Sequence, residues 1–451
     1  MKRIHSLLFC ALFLSTGITF AQEARTITIQ EAINIALDNN YQLKQAENNL
    51  YLSEENIKSE YADFLPSVNA SLNGGRQIGQ QFIQEEVQFQ NVTSRYLSGN
   101  LSANIVVFDG FNNINTLRFS KQAKVSREES LQRSKENVIF NTASSYLQVL
   151  LSQQLLEISE ENLATSQKQL EQVQAQVEVG SRPSVDLYNQ EAQVASDELS
   201  VTQQENSLKF NKLALIRQLQ IDPLGDYQFV TPDFDEEKNI ELARSYNLSE
   251  LIDEALFNRS DIKSEIAEIR GLNYQLKIAK GSLSPTLSAS AGISSRFSDS
   301  DLFPGASFND QFFDQQINKS LGFNLSIPLF QNWNRMYNIE SSRVQLKNAE
   351  LSLDNTRLQV IQEVAQAYND FTSYTKQLSA SEKALFASEK AFETQQERYN
   401  VGASTLIELS QAQANYVSAQ SDHTSSVYNL IFQEKLLDYY LGKLSGENIE
   451  F

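Results

Sequence analysis

Glycine and proline, the residues that interrupt helices, are missing from four long stretches of this 451-residue chain. Neither occurs in residues 111–179 or 329–401, runs of 69 and 73, nor in 184–222 or 403–441, runs of 39 each. An ordinary globular helix has about 11–12 residues. At ~1.5 Å per residue, a helix over most of the first run would be ~95 Å long. No single compact domain needs that length.

The apolar positions inside the runs repeat at close to heptad spacing. Leu353, Val360, Val364, Ala367, Phe371, Tyr374, Leu378, Leu385, Phe392 and Tyr399 step by sevens, fours and threes. That averages 3.5 residues per turn and calls for a left-handed supercoil. Ile139, Ala143, Tyr146, Leu150, Leu163, Leu170, Val173 and Val177 mark a less regular seam in the first run. Leu147, Leu151, Leu155 and Ile158 widen that face, as suits a wall in which each helix has a neighbour on both sides.

Four short segments alternate instead with period two: 66–74, 95–107, 285–294 and 320–330. Val68, Ala70 and Leu72 alternate with Ser67, Asn69, Ser71 and Asn73; Leu321, Phe323, Leu325 and Ile327 alternate with Ser320, Asn324 and Ser326. These predict strands with one apolar face. The wet face of a soluble half-buried strand usually carries Lys, Glu or Thr. Here it is mainly Ser and Asn, as on the inside of a water-filled barrel.

The chain repeats itself. Ala36-Leu37-Asp38-Asn39 returns as Ala255-Leu256-Phe257-Asn258, and Pro66 as Pro285, at an offset of 219. Beyond the strands the offset is 222: Phe108 meets Phe330, Phe111 meets Trp333, and Val179-Gly180 meets Val401-Gly402. Each copy reads as helix, two strands, very long helix, tight turn, shorter helix. Four strands cannot close a barrel, since about eight are needed. Their edges cannot stay open in lipid. Each chain is therefore expected to complete its barrel with strands of other chains, in a number that strand counting does not supply.

Composition narrows the function. Acids outnumber bases by 56 to 37, a net charge of −19, which disfavours nucleic acid as a partner. One Cys and two His exclude zinc fingers, iron–sulfur clusters and disulfide scaffolds. No catalytic, metal-binding or cofactor-binding constellation is expected. Residues 1–21 read as a signal peptide, with Lys2 and Arg3 before an apolar Leu7–Leu14 stretch and a cleavage site ending at Ala21. Its removal leaves no cysteine, one histidine (His423) and a charge of −21. No later stretch reaches 18 apolar residues, so no transmembrane helix is expected.

The chain resembles the TolC-like outer-membrane efflux protein family. The motif is Arg398-Tyr399-Asn400-Val401-Gly402 followed by Glu408-Leu409-Ser410-Gln411-Ala412-Gln413, recurring more weakly as Val179-Gly180-Ser181-Arg182 and Asp186-Leu187-Tyr188-Asn189. The resemblance covers residues 27–441. It implies a mainly helical chain with a transmembrane β portion, three copies sharing a 12-stranded barrel, and a helical tunnel reaching into the periplasm. The implied function is an exit duct for a tripartite efflux pump or type I secretion system. A periplasmic adaptor and an inner-membrane transporter of the RND or ABC class would be its partners. A secreted coiled-coil structural or adhesive protein is the alternative; it explains the rods and not the Ser/Asn-faced strands.

On this expectation residues 22–65 and 248–284 are the leading helices of the two repeats, and 66–110 and 285–330 the barrel strands. Residues 111–222 and 331–441 are the tunnel hairpins, 223–247 and 442–451 a collar, and 76–94 and 295–319 extracellular loops. Val179, Gly180, Arg182, Tyr399, Val401 and Gly402 would form the periplasmic tip and touch the adaptor. Asp186, Asn189, Glu408 and Gln411 would line the pore constriction. Phe108, Phe111, Phe330 and Trp333 would form an aromatic girdle at the membrane's periplasmic face. The family carries a basic residue in the second tip turn that latches the tip. This chain has Ser404 there and Arg182 in the other repeat.

Overall fold

The computed structural model describes residues 25–83, 87–231, 246–299 and 307–444. The expected signal peptide, most of the expected 223–247 collar segment and the end of the 442–451 tail lie outside the described residues. Among the described residues, no helix is long and apolar enough to cross a membrane.

Helices α1 (Ile29–Asn39) and α2 (Tyr41–Ala62) lead into strands β2 (Ser67–Ile83) and β3 (Gln88–Phe108). The long α3 (Asn112–Glu178) then turns back into α4 (Ser184–Leu219). The second copy repeats the plan as α5 (Leu248–Asn258), α6 (Ser260–Gly281), β5 (Thr286–Ser298), β6 (Asn318–Ser326), α7 (Asn334–Asn400) and α8 (Leu406–Tyr440). Helices α3 and α7 have 67 residues each, ~100 Å of rod at 1.5 Å per residue. Side chains cap the joints. Asn40 accepts from the amides of Gln42 and Leu43 at 2.9 and 3.1 Å. Asp109 accepts from those of Asn112 and Asn113 at 2.9 and 2.8 Å, so the chain passes from strand to helix within three residues.

The strands form one antiparallel sheet in the order β2-β3-β5-β6. Its register tests the alternation directly, because residues paired across antiparallel strands point to the same face. Val68 pairs with Ala103, Ala103 with Ala291, and Ala291 with Leu321. Ser71 pairs with Asn100, Asn100 with Ser294, and Ser294 with Asn318. One face is therefore mainly apolar across all four strands, with Lys319 opposite Ile293 at the end of the β5–β6 ladder, and the other is mainly Ser and Asn. The outer edges of β2 and β6 carry no partner strand within the sheet.

The expected loops need correction. The β2–β3 ladder runs on to Ile83↔Gln88, so 76–94 is mostly strand. β5 reaches Ser298 and β6 begins at Asn318. Between them Phe308 and Phe312 stack at 5.2 Å, and Phe308 meets Phe297 edge-on at 5.1 Å. Outside the alternating stretch the pattern turns to Gln, Arg and Asn, but backbone pairing needs no apolar face.

The rods pack side by side. Near the sheet α3 lies between α2 and α6, and α6 meets α7; towards the far end α3 lies between α4 and α8, which meets α7. The heptad seam is buried at Leu353, Val360, Val364, Ala367, Phe371 and Leu378. Two further strands, β1 (Arg25–Ile27) and β4 (Tyr227–Phe229), pair in parallel. They clasp the middle of α3 through Tyr146, which is fully buried. Its hydroxyl lies 2.9 and 2.8 Å from the carbonyls of Ile27 and Val230 and accepts from the Val230 amide at 2.9 Å. Burial pushes this phenol up to about 12, so it stays a donor at physiological pH.

Replacing Tyr146 with Phe should cost about 1 kcal/mol, because it removes the hydroxyl bonded to the clasp and leaves the Val230 amide only its longer 3.4 Å bond to the Ile27 carbonyl. A lowered denaturant midpoint checks this; an unchanged midpoint would mean the clasp holds nothing.

Candidate functional site

The two hairpins end in turns built alike. After α3, the Gly180 amide bonds the Val177 carbonyl at 2.9 Å and the Ser181 amide bonds that of Gln176 at 2.9 Å. After α7, Gly402 bonds Tyr399 at 3.0 Å and Ala403 bonds Arg398 at 2.7 Å. This double bond is a Schellman cap, which needs a residue with positive φ. Gly180 and Gly402 supply +74° and +75°. Nothing lies within 4 Å of where a Cβ would stand on either, so backbone conformation alone demands glycine.

Positions 182 and 404 correspond across the repeats, as do 186 and 408, and both pairs are bonded. Arg182 lies 3.5 Å from Asp186. The Ser404 hydroxyl lies 2.8 Å from Glu408. Glu408 also accepts from the Thr405 amide at 3.0 Å while its own amide donates to the Thr405 hydroxyl at 3.3 Å. That is a reciprocal capping box. The Thr405 amide, then Ser404, hold the Glu408 carboxyl below the usual carboxylate range.

Arg182 does a second thing. Its guanidinium stands 4.1 Å from the centre of the Tyr399 ring, joining the first tip to the last turn of α7. Tyr399 is buried with Val173, Leu406 and Leu409. Its hydroxyl finds no hydrogen-bond partner among the described residues. Around this small core Val179, Val185, Val401 and Ile407 stand exposed, two equivalent apolar residues from each tip. Asn189 and Gln411 are exposed one turn beyond the acids, and Gln411 donates to Asn415 at 3.0 Å.

At the other end of the rods, Phe108 and Phe111 meet edge-on at 5.4 Å. Phe330 and Trp333 are exposed at the equivalent joint. Phe111 and Trp333 both carry φ of +65°, a rare conformation for bulky residues, repeated at the same point of each copy.

Two polar clusters escaped the sequence reading. Ser166, on α3, lies 2.5 Å from Asp197 and accepts from Gln413 of α8 at 3.2 Å. Arg259, at the start of α6, bonds Asp261 and Glu363 at 2.5 Å each. Burial opposes the Arg259 charge, but these two acids outweigh it and raise its pKa. Ser166 sits seven residues before Val173, so a polar side chain at a core heptad position was the available signal. Nothing local marked Arg259.

A sheet with one apolar and one hydroxyl- and amide-bearing face, carried on rods of this length, defines a subunit of a membrane channel. The model of the outer membrane efflux protein family matches residues 32–219 and 251–443, one block in each repeat, and the chain belongs to that family of outer-membrane proteins. The outer membrane efflux protein BepC of Brucella suis is 20% identical over 450 residues, covering 99% of this chain and 92% of BepC. The outer membrane protein TolC of Escherichia coli is 21% identical over 362 residues, covering 79% and 72%. The crystal structure of the Campylobacter jejuni CmeC outer membrane channel has the same fold, with a TM-score of 0.77 at 17% identity over 93% of this chain and 87% of that one.

Gly402→Ala should cost about 1 kcal/mol through its positive φ, and Gly402→Asn less, since Asn tolerates that region. Thermal melts of the two variants check the order; equal melts would remove the conformational argument.

Proposed function

We propose that three copies of this chain form the passive exit duct of a tripartite export machine. Their sheets share one 12-stranded barrel in the outer membrane, and their hairpins form a tunnel into the periplasm. The observation that carries this is the sheet itself, amphipathic across all four strands and partnerless at both edges. A periplasmic adaptor would dock on the tips, where Val179, Val185, Val401 and Ile407 offer apolar surface. An inner-membrane transporter of the RND or ABC class would supply the energy.

The tip is the gate. Arg182 ties the two hairpins of one chain together through the Tyr399 ring, in place of the second-turn basic residue that the family carries. A cation over an aromatic face contributes ~0.5–2 kcal/mol, depending on desolvation. Three such ties are weak enough for a docking partner to displace and strong enough together to bias the closed state. The constriction would be lined by Asp186, Asn189, Glu408 and Gln411. Asp186 is neutralised locally by Arg182, so the charge offered to the path comes chiefly from Glu408. A ring of these carboxylates favours cations.

Glu408→Gln should lower the cation-to-anion permeability ratio several-fold in planar bilayers; no change would take Glu408 off the path. In the unaltered protein the Thr405 amide and Ser404 hold this carboxyl below its usual range. Selectivity should therefore persist as the medium is acidified into the range where ordinary carboxylates titrate, and decline only below it.

A further inference from the structure

The two repeats are equivalent element by element. Helices α2 and α6 have 22 residues each at an offset of 219, and α3 and α7 have 67 each at an offset of 222. Within the chain the first repeat packs its α3 against α6 of the second. The equivalent face of α7 has no partner helix among the described residues, and an exposed heptad stripe of Tyr337, Val344, Leu351 and Leu358 runs along that helix. The free flank of α2 exposes Tyr41 and Leu52.

We infer that α7 of one copy docks on α2 of a second copy in the register that α3 adopts on α6, through contacts of different chemistry. This rests on the self-assembly proposed above and adds the residue map. Four α3–α6 contacts, transferred by the offsets, arrive at complementary pairs. Phe119 packs on Gly271 within the chain; the transferred pair is Ser341 with Leu52, so the large and small partners change sides. Ser126 and Ser130 each lie 2.9 Å from Ser264; their counterparts Asn348, Ser352 and Gln45 can also bond one another. Arg133 faces Asp261 at 3.9 Å; Asn355 with Gln42 replaces the ion pair by two amides. Ser260 donates to Glu136 at 3.1 Å; Tyr41 with Leu358, both about two-thirds exposed in the single chain, replaces that bond by an apolar contact.

The map also fills a groove. A cleft of about 550 Å³ runs beside Tyr41 and Gln42, walled by Asn137, Asn141 and Arg217. At the equivalent place in the second repeat, Arg133 of α3 enters over the Tyr439 ring at 4.1 Å and donates to the Tyr439 carbonyl at 3.3 Å. Arg217 is the counterpart of Tyr439, and Asn355 that of Arg133. The amide of Asn355 from the neighbouring copy thus enters the cleft between Gln42 and Arg217. The strands agree. The pairs Ala103↔Ala291 and Leu101↔Ile293 of β3 and β5 become Leu325 with Leu72 and Phe323 with Gly74, which keeps all apolar side chains on one face. A slip of one residue would not.

The Arg133–Asp261 contact inside a chain is therefore an ion pair, and the transferred Asn355–Gln42 contact between copies is a pair of neutral amides beside Arg217. A copy cannot satisfy the Arg133–Asp261 contact with its neighbour, so the difference directs repeat two onto the next copy's repeat one.

Mature chain without cysteine suits a disulfide test. Gln45→Cys is combined with Asn348→Cys or Ser352→Cys, counterparts of serines whose hydroxyls touch, and assembled protein is oxidised in detergent. A Gln45→Cys, Ser341→Cys pair, displaced by ~10 Å along the helix, is the offset control. The inference expects covalent ladders up to the native oligomer for the first two pairs and at least tenfold less for the control. Native mass reads assembly separately. An oligomer that fails to link, or links better in the offset pair, overturns the map and leaves the assembly standing. A monomer in every variant and in the unaltered protein overturns both. A second arm covers misfolding: Leu358→Glu should weaken assembly, and adding Tyr41→Ser, which recreates the Glu136–Ser260 pair, should restore it. No rescue counts against the map.

Discussion

Backbone groups in hydrocarbon have no water to bond, and each one left unpaired costs several kcal/mol. The sheet of this chain has an apolar face made for lipid and two edges, β2 and β6, that pair with no further strand among the described residues. It is thus stable in a membrane only as part of a closed cylinder. Four strands are too few to close one, so the need for other copies lies in the hydrogen-bonding arithmetic of a single chain. The duplication makes the requirement easy to meet, because the surface that joins one repeat to the next already exists inside each chain.

The rods follow from the same closure. A ring of helices gives each member two neighbours, so α3 and α7 spread apolar residues over more than one flank. Exposed Leu351 and Leu358 beside buried Leu353 and Val360 record that arrangement. The charged cluster around Arg259 joins α3, α6 and α7 at one level, while the polar layer at Ser166 joins α3, α4 and α8 nearer the tip. Breaking a buried bonded cluster is costlier than never building it, which suits a place where the rods must stay fixed while their ends move.

Much of this was legible in the sequence for physical reasons. Helices end where Gly180 and Gly402 supply positive φ, so the glycine-free runs located α3 and α7 closely. Helix α7 begins later than its run because Pro328–Trp333 still belongs to the strand-to-helix joint. Alternation located the strands only where one face meets lipid. Beyond Gly75 the ladder continues through Gln and Asn, with no period to betray it. The three-residue strands β1 and β4 are too short to carry a pattern. Arg182 and Tyr399 stand 217 residues apart, and only the fold brings them together. Glu408 was expected as a pore charge; the structure adds a reciprocal capping box with Thr405, a helix-terminal role that the Thr-to-Glu spacing of three already carried in the sequence.

A shared barrel requires that the Ser and Asn face of the sheet meet water and the apolar face meet lipid. Single cysteines placed along β5, at Leu287, Ala289 and Ala291 and at Ser288, Ser290 and Ser294, can be labelled in proteoliposomes with an environment-sensitive fluorophore. The account predicts quenching by brominated lipid at the first three and by aqueous iodide at the other three, alternating residue by residue. Uniform access of iodide to both sets, or protection of both from either quencher, would contradict it.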